Sequence, residues 1–487
     1  MDKCSISITK TKAMKNVFLI IAVFIIGKWN AQSYPSFNVN LLGSLSPCTV
    51  NNWYANGSGT KYSSVVSWAN PVDGREYAIL GATDGYYFID VTNPAAPVLR
   101  DFEPGVNPNC LWREMKMYDK YCYMVSDDNA PNGLIIADLS YLPDSIHVVH
   151  KGSSIITRSH TVFVDGNKLY GGYVHTSTGA AKSMGVYSLN NPTSPQPLRY
   201  LDQDYPSIGS VHDMWVQQDT VFASCGYDGL HVFRYDSVQN KFFELANFTG
   251  YVQAGYNHSS FRTADRKTLV FCDEVPTNTV VKILDVADLN NLTVLDTIKS
   301  NQGATPHNPY IVGNDFCYVA YYQDGLYIFN ISNPNNVFVA GYFDTHYQNG
   351  LNNAYPTFPT SYMGAWAADP FLPSGHVLVS DMQNGLFVLD VSPAVTGISA
   401  EVELQHEIGV YPNPCNEFIQ IRFFSSSSDI TEIQLKDIQG RILFSEKVDA
   451  VAALSGIKIS TSDIQSGIYF IAASGRNTSV TKKIVKQ

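Results

Sequence analysis

Four histidines at regular intervals are the residues of this sequence best suited to chemistry. His160, His212, His258 and His307 lie 46 to 52 residues apart, each at the start of an alternating apolar segment. Neutral imidazoles are ligands of zinc and related divalent ions, so four rings brought to a common axis could hold such a metal. Alternatively, each ring could hydrogen-bond the backbone of its own or the next repeat. Repetition of one side chain favours this second interpretation, because catalytic sites generally combine unlike groups.

Other polar and aromatic residues at or beside these positions are candidates for ligand binding. The candidates are Arg113, Glu114, Asp213, Asn257, Asn308 and Trp366. Arg113 and Glu114 break the histidine pattern, and they could neutralise each other or bind an anionic ligand. No nucleophile motif or phosphate-binding glycine loop is found, so no catalytic residue is assigned.

Aromatic and acidic residues near these positions have two interpretations each. Trp366, Tyr321 and Tyr322 could form a platform that stacks against a sugar, or they could belong to the core. Asp273 and Glu274 look like paired carboxylates, but they match no calcium-loop spacing and are expected to be solvated at a strand end.

The elements that position these residues are copies of one repeat. In the clearest copy, segments 309–312, 316–322, 326–331 and 337–343 alternate as short strands, with an Asp324-Gly325 turn between the second and third. Equivalent turn glycines are Gly85, Gly133, Gly185, Gly229, Gly325 and Gly385, with Val280 in the copy that lacks one. Four strands at this period predict a β-propeller, and seven copies predict seven blades.

The order of strands within a blade places the candidates together. Each first strand begins on the face that carries the turn between the second and third strands. The histidines and the turn residues Asp84, Asp228 and Asp324 should therefore surround the channel mouth. The last copy has no fourth strand after Pro393, and residues 37–45 resemble the outer strands elsewhere. We expect residues 37–45 to complete the last blade and remove its open edges.

The charge of the repeat region restricts its partners. Residues 32–405 carry 34 acidic and 18 basic side chains. This balance argues against a nucleic-acid surface, which needs clustered lysine and arginine, and leaves cations and neutral polymers such as glycans. A monomer is expected.

The first 31 residues are predicted to be a signal peptide. Lys3, Lys10, Lys12 and Lys15 precede an apolar run of eleven residues at 17–27, which is too short to span a bilayer. Seven cysteines follow this segment. Cys48 and Cys110 lie in loop-like stretches, where they could form a disulfide in an oxidising compartment or remain free.

After a predicted linker at 396–407, residues 408–487 change character. About six short alternating strands with glycine turns predict a small β-sandwich. The motif residues are Tyr411, Pro412, Asn413, Pro414, Gly440, Gly467, Tyr469, Lys482 and Lys483. They resemble the type A C-terminal sorting domain of type IX secretion. The resemblance implies the type IX secretion machinery as a partner, passage across the outer membrane of a Bacteroidota-type cell, and surface attachment or release.

The repeats at 37–395 resemble the LVIVD-repeat propellers, including the surface proteins labelled choice-of-anchor B. The resemblance rests on GYYFIDVTNP (85–94), GLYIFNISNP (325–334) and GLFVLDVSP (385–393). It implies a fold and an exterior location but no reaction. We therefore expect an all-β, exported propeller that binds an extracellular polymer, glycan or protein. The alternative is a metal-dependent hydrolase or lactonase that uses the histidine ring.

Overall fold

The structure is a computed structural model that describes residues 34–50, 59–110, 112–128, 131–346, 355, 362–396, 408–423, 430–448, 456–475 and 479–487. The predicted signal peptide and residues 397–407 of the predicted linker lie outside these ranges. Within them the chain is almost entirely β-strand, with one 3-10 turn (Leu201–Gln203) and one short helix, α1 (Ser392–Thr396). None of the described helices is long and apolar enough to cross a membrane.

The repeat region folds into antiparallel sheets in which the strands of one repeat lie side by side. Two strands precede the first repeat, β1 (Ser36–Phe37) and β2 (Asn40–Leu45). Within the described ranges, sheet 1 contains β3 (Tyr62–Ala69), β4 (Glu76–Ala82), β5 (Gly85–Asp90) and β6 (Val98–Pro104), and sheet 2 contains β7 (Arg113–Tyr118), β8 (Tyr121–Ser126), β9 (Leu134–Asp138) and β10 (His147–Gly152). Sheet 3 contains β11 (Ile156–Arg158), β12 (Thr161–Asp165), β13 (Lys168–Thr176), β14 (Ala181–Ser188) and β15 (Gln196–Tyr200), and sheet 4 contains β16 (Asp213–Gln217), β17 (Thr220–Ser224), β18 (Leu230–Asp236) and β19 (Lys241–Phe248). Sheet 5 contains β20 (Tyr256–Arg262), β21 (Thr268–Val275), β22 (Val281–Asp285) and β23 (Thr293–Ile298), sheet 6 contains β24 (Pro309–Val312), β25 (Phe316–Ala320), β26 (Leu326–Asn330) and β27 (Phe338–Phe343), and sheet 7 contains β28 (Ala365–Asp369), β29 (Val377–Asp381) and β30 (Gly385–Asp390).

These sheets form a closed ring, which confirms the predicted propeller architecture. The innermost strand of each sheet, which is β12 in sheet 3 and the first strand elsewhere, contacts the innermost strand of the next, and β28 of sheet 7 contacts β3 of sheet 1. The apolar cores lie between adjacent sheets. Between sheets 5 and 6, for example, Val270 and Ile283 belong to the same buried cluster as Val319 and Phe329. Each sheet is therefore stabilised by burial against its two neighbours.

The N-terminal segment closes the ring in a way that differs partly from the prediction. Strand β2 pairs antiparallel with β30 and completes sheet 7, with Asn40 opposite Asp390. The assignment of Phe37 to the same sheet is wrong, because β1 pairs with β27 and extends sheet 6. Asn38 lies between the two strands with a φ of 53° and donates its Nδ2–H to the Ala340 carbonyl, so the chain bends there from one sheet to the next.

The repeated turn glycine has a packing reason. At Gly325 a Cβ atom would lie 2.1 Å from the Phe343 carbonyl oxygen, at the end of the outer strand, and φ is +79°. The identification of Gly185 as a turn residue is wrong. Gly185 lies within β14 opposite Tyr200, since the β13–β14 hairpin continues beyond it and pairs with β11 as an additional strand.

Residues 408–487 form two packed sheets, as predicted. Their strands are β31 (Ile408–Tyr411), β32 (Phe418–Phe423), β33 (Ile430–Asp437), β34 (Ile442–Lys447), β35 (Ile457–Ser460), β36 (Gly467–Gly475) and β37 (Ser479–Lys486). The strand orders are β31-β32-β35 and β34-β33-β36-β37. Isoleucines from both sheets, such as Ile421 and Ile471, share one buried cluster.

Two of the C-terminal motifs contact each other. The Asn413 side chain donates to the Lys483 carbonyl at 2.9 Å and accepts from the Val485 amide at 2.8 Å. The Tyr-Pro-Asn-Pro segment is therefore tied to the last strand, β37. At the predicted turn, Asp437 accepts the backbone amide of Arg441 while Gly440 adopts a φ of +80°.

Candidate functional site

Six aromatic side chains close the mouth of the central channel. They lie at or beside the starts of the innermost strands of sheets 2 to 7 and are Trp112, His160, His212, His258, His307 and Trp366. We call them the aromatic collar. Successive ring centroids from His160 to Trp366 are 4.1, 4.2, 4.5 and 4.3 Å apart, and Trp366 stacks on Trp112 at 4.8 Å. The cavity at their centre has a volume of about 10 Å³, which is room for one water molecule or ion.

Three collar histidines tie their sheets to the next sheet in the ring. The Nδ1 atom of His212 lies 3.0 Å from the His258 carbonyl oxygen, and that of His258 lies 3.1 Å from the His307 carbonyl. His307 repeats the contact to the Trp366 carbonyl at 2.5 Å. A carbonyl oxygen can only accept, so each Nδ1 carries the proton and each Nε2 keeps its lone pair.

His160 has a different partner and a different charge. Its Nδ1 lies 2.7 Å from Oδ2 of Asp127. Burial lowers the pKa of His160, but Asp127, together with Glu114 and Asp213, outweighs burial and raises this pKa to about 9. The ring is therefore protonated at neutral pH and has no lone pair to offer. His160 lies outside the histidine–glutamate cluster described next, and its predicted role as a metal ligand stays a prediction.

On the side of the collar away from His160, two histidines and a glutamate form a cluster of side chains that could bind a metal ion. One atom each of His258, Glu274 and His307 lies within 4.8 Å of the other two, and His258 Nε2 is 3.6 Å from Glu274 Oε2. Burial lowers the pKa values of His258 and His307 to about 3, so both are neutral. The Tyr322 hydroxyl donates to Glu274 Oε1 at 2.6 Å. His212 does not belong to this cluster.

The carboxyl groups of Glu114 and Asp213 line the same cavity. Burial raises the pKa of Glu114 to about 7, and burial also raises the pKa of Asp213. The Ser64 hydroxyl donates to Glu114 Oε2 at 3.1 Å. Lys116 lowers both pKa values but does not offset burial. Glu114 can therefore hold a proton near neutral pH.

The hydrogen bonds of Arg113 go to backbone carbonyls rather than to Glu114, and its predicted role in ligand binding stays a prediction. Its guanidinium donates to the carbonyls of Ala82, Thr83 and Asn107, and its side chain is buried. It also lies over the Tyr86 ring at 5.1 Å. Three backbone acceptors hold the guanidinium against the end of β4 and the segment that follows sheet 1, while Arg113 still lines the collar cavity.

The remaining predicted ligand-binding residues divide between the cavity and the sheets. Asn308 and Trp366 line the cavity, and Asn308 Oδ1 and Trp366 Nε1 have no hydrogen-bond partner among the described residues. Asn257 is not at the cavity; its Nδ2 donates to the Tyr251 hydroxyl at 3.2 Å. The side chain faces Tyr251 in the connection between sheets 4 and 5, and its predicted role in ligand binding stays a prediction.

The sugar-stacking platform predicted at Tyr321, Tyr322 and Trp366 is also wrong. All three side chains are buried, and Tyr322 stacks on Tyr362 with ring centroids 4.0 Å apart. No face of Tyr322 is left for a sugar, because the ring packs between Tyr362 and His307.

The cysteines proposed as a possible disulfide are separate thiols. Cys48 and Cys110 are both buried and free. The Cys48 Sγ lies 3.4 Å from Asp84 Oδ1, and the Cys110 Sγ lies 3.0 Å from Asn132 Oδ1.

Two residues of the site were missed by reasoning from sequence. Trp112 holds the collar position of sheet 2, and its place in the repeat could have identified it. Glu274 was interpreted as a solvated acid, yet it is the last residue but one of β21, in the repeat of His258 and on the mouth face. Its neighbour Asp273 forms a buried ion pair with Lys282.

A separate groove opens on the same face between sheets 4 and 5. Its volume is about 320 Å³. Its lining residues are Tyr227, Gly229, Thr249, Tyr251, Ala254, Gly255, Val275 and Pro276. We call it the tyrosine groove. Tyr227 is 75% exposed and rests against Tyr256, with ring centroids 5.1 Å apart and nearly perpendicular rings.

Comparisons with known proteins agree with this organisation. Residues 409–487 match the family model of the secretion system C-terminal sorting domain, and residues 311–345 match that of the LVIVD repeat. No curated protein sequence matches the chain.

Several solved structures resemble the chain at low identity. The WD40 β-propeller domain of Doa1 aligns at 10% identity with a TM-score of 0.47, over 74% of this chain and 97% of that one. PorZ, a surface component of the type IX secretion system of Porphyromonas gingivalis, aligns at 11% identity with a TM-score of 0.40, over 91% and 61%. A putative 6-phosphogluconolactonase of Bacteroides fragilis aligns at 11% identity with a TM-score of 0.44, over 88% and 99%. No functional conclusion follows from these scores.

The family matches and the sheet topology together support one description of the molecule. The C-terminal sorting domain is the mark of proteins that the type IX system delivers to the cell surface. The chain therefore carries an LVIVD repeat within a β-propeller and a type IX C-terminal sorting domain, and it is an exported cell-surface protein.

Proposed function

We propose that this protein is a surface-displayed binding propeller that holds a neutral extracellular glycan in the tyrosine groove. The observation that carries the proposal is an open groove of about 320 Å³ beside an exposed tyrosine. That volume lies in the range of small-ligand sites. The described lining has no charged side chain, and the acidic repeat region disfavours polyanions.

The groove has the chemistry that sugars require. The exposed Tyr227 ring is braced by Tyr256 and offers a face for the C–H groups of a pyranose. Thr249 and the backbone at 254 and 255 supply polar groups for hydroxyls. The Tyr251 hydroxyl is oriented by Asp273, to which it donates at 2.7 Å.

A hydrolase at the collar is less well supported than binding. The collar cavity of about 10 Å³ holds one ion or water and excludes a substrate. We therefore place ligand binding in the groove and assign the collar no reaction.

The binding proposal is tested by electrophoresis of the purified full chain in gels that contain neutral polysaccharides. Retardation by at least one polysaccharide is expected, with a loss of at least tenfold in affinity for Tyr227→Ala. Tyr141→Ala is the matched control, since Tyr141 is 54% exposed on the turn between the third and fourth strands of sheet 2, on the opposite face. Equal binding by Tyr227→Ala and the native chain, or no retardation in any gel, would overturn the proposal.

We also infer the organisation of the whole chain. Residues 1–31 would be a signal peptide for a Bacteroidota-type cell, 37–395 the propeller, 396–407 a linker and 408–487 the sorting domain. A chain truncated after Val395 is expected to fold but to accumulate in the periplasm. Cell fractionation checks this, and normal amounts of the truncated chain at the surface would contradict it.

A further inference from the structure

We propose that His258, His307 and Glu274 bind one first-row transition-metal ion of the zinc type, which clasps sheets 5 and 6 at the channel mouth. This inference is independent of the glycan groove. It rests on the donor atoms, on the groups that hold them, and on the small cavity beside them.

The donor set and its spacing suit such an ion. Two imidazole nitrogens and one carboxylate oxygen are typical ligands of zinc. Tetrahedral zinc with bonds of about 2.0–2.2 Å places its ligand atoms about 3.4 Å apart. His258 Nε2 and Glu274 Oε2 are already 3.6 Å apart, and all three donor atoms lie within 4.8 Å of one another. Small side-chain rotations would complete the geometry.

Each ligand is held by a second group in the manner of metal sites. The Nδ1–H groups of His258 and His307 donate to backbone carbonyls, which fixes the tautomer with a free Nε2. The Tyr322 hydroxyl holds one oxygen of Glu274 and leaves the other near His258. The histidine contacts between sheets and metal ligation are therefore compatible, because they use different nitrogens of the same ring.

The cavity provides room for a fourth ligand. It holds about one water molecule, and His258, His307, Asn308 and Trp366 all line it. Asn308 Oδ1 and Trp366 Nε1 have no partner among the described residues. A water on the ion would accept a hydrogen bond from Trp366 and donate one to Asn308.

The site would be structural rather than catalytic. His258 and Glu274 belong to β20 and β21 of sheet 5, whereas His307 precedes β24 of sheet 6. An ion bound to all three joins the two sheets, and by mass action it stabilises the folded state over the unfolded one.

The test measures metal content and melting temperature of the full chain. The purified protein is stripped with a chelator, dialysed against zinc, and analysed by mass spectrometry of the bound metal. One equivalent of zinc and a rise in melting temperature are expected. Calcium should give neither, because two of the three ligands are imidazoles. Absence of stoichiometric zinc, or an equal response to calcium, would overturn the proposal.

Matched variants assign the ligands. His258→Asn and His307→Asn keep an amide donor near the Nδ1 position but lack Nε2, and Glu274→Gln keeps an acceptor for Tyr322. Each should lose the bound zinc and the zinc-dependent rise in melting temperature. His212→Asn makes the same change at a collar histidine outside the cluster and should keep both. If a histidine variant does not fold, Glu274→Gln decides the matter. Retention of zinc by Glu274→Gln, or its loss in His212→Asn, would contradict the assignment.

Discussion

His160 and His258 are the same residue type at the same position of the repeat, on two sides of the aromatic collar. They differ in the group that contacts their Nδ1 atoms. His160 lies against the carboxylate of Asp127, from the end of β8 in sheet 2, and is held as a cation. His258 directs its Nδ1 to a backbone carbonyl and is held neutral by burial. The protonation state of a collar histidine therefore depends on its burial and on the group that a neighbouring sheet places against it, and not on its position in the repeat.

The largest expected effect comes from removing the strands that close the ring of sheets, because both sides of the collar are positioned by that ring. Deleting residues 33–46 removes β1, β2 and the buried Val39, so sheets 6 and 7 lose their outer strands. We expect a loss of more than about 4 kcal/mol in the free energy of unfolding, measured by denaturant titration.

The control for this deletion is Leu41→Ala, which truncates an exposed side chain of β2 and should cost no more than about 0.5 kcal/mol. An unchanged unfolding curve for the deletion would show that these strands do not close the propeller.

The next effect tests the charged side of the collar. Because the folded pKa of His160 is raised above 6.5 to about 9, its stabilising contribution is complete below pH 6.5 and is lost as the pH rises through 9. Asp127→Asn removes the main cause, and it should lower the free energy of unfolding at pH 7 by about 1–3 kcal/mol. The native chain and the variant should converge near pH 10.

Glu244→Gln is the matched control, since Glu244 makes a similar 2.8 Å contact with His231 on the outer strand of sheet 4. There we expect less than about 0.5 kcal/mol. A flat difference between Asp127→Asn and the native chain from pH 6 to 10 would remove the basis for a charged His160.

The smallest expected effect concerns Glu114, because burial favours the protonated form of its carboxyl group. Its folded pKa is raised from 4.5 to about 7, so its contribution to stability is complete below pH 4.5 and is lost as the pH rises through 7. Glu114→Gln should therefore raise the free energy of unfolding at pH 8 by roughly 1–2 kcal/mol and leave it unchanged at pH 4. Thermal melts at both pH values measure this, and equal effects at the two would contradict the raised pKa.

Much of the fold follows from local patterns. Alternation and the Asp-Gly turn predict the strands of sheet 6 to within two residues, because period-2 alternation and turn chemistry are local properties. The closing strand was predicted because the last repeat lacks its outer partner. The assignment of Phe37 failed, since the bend at Asn38 depends on the Ala340 carbonyl of another sheet.

The candidate site was predicted in position but not in chemistry. The repeat places four histidines and Trp366 at the channel mouth, and the structure brings them together there. The side-chain partners could not be predicted, because the sequence does not show which carbonyl or carboxylate of the next sheet approaches each ring. For the same reason Glu274 was overlooked.

The sequence by itself determined the all-β repeat, the propeller, the sorting domain and the face on which the histidines gather, since each depends on periodicity or on motifs within one segment. Tertiary structure alone decided that Arg113 serves three carbonyls, that His160 is charged and that His258 keeps Nε2 free. These outcomes depend on distances of about 3 Å between residues that are 30 to 49 positions apart in the chain. Hydrogen bonding and burial act at that range, and no pattern within a single repeat records them.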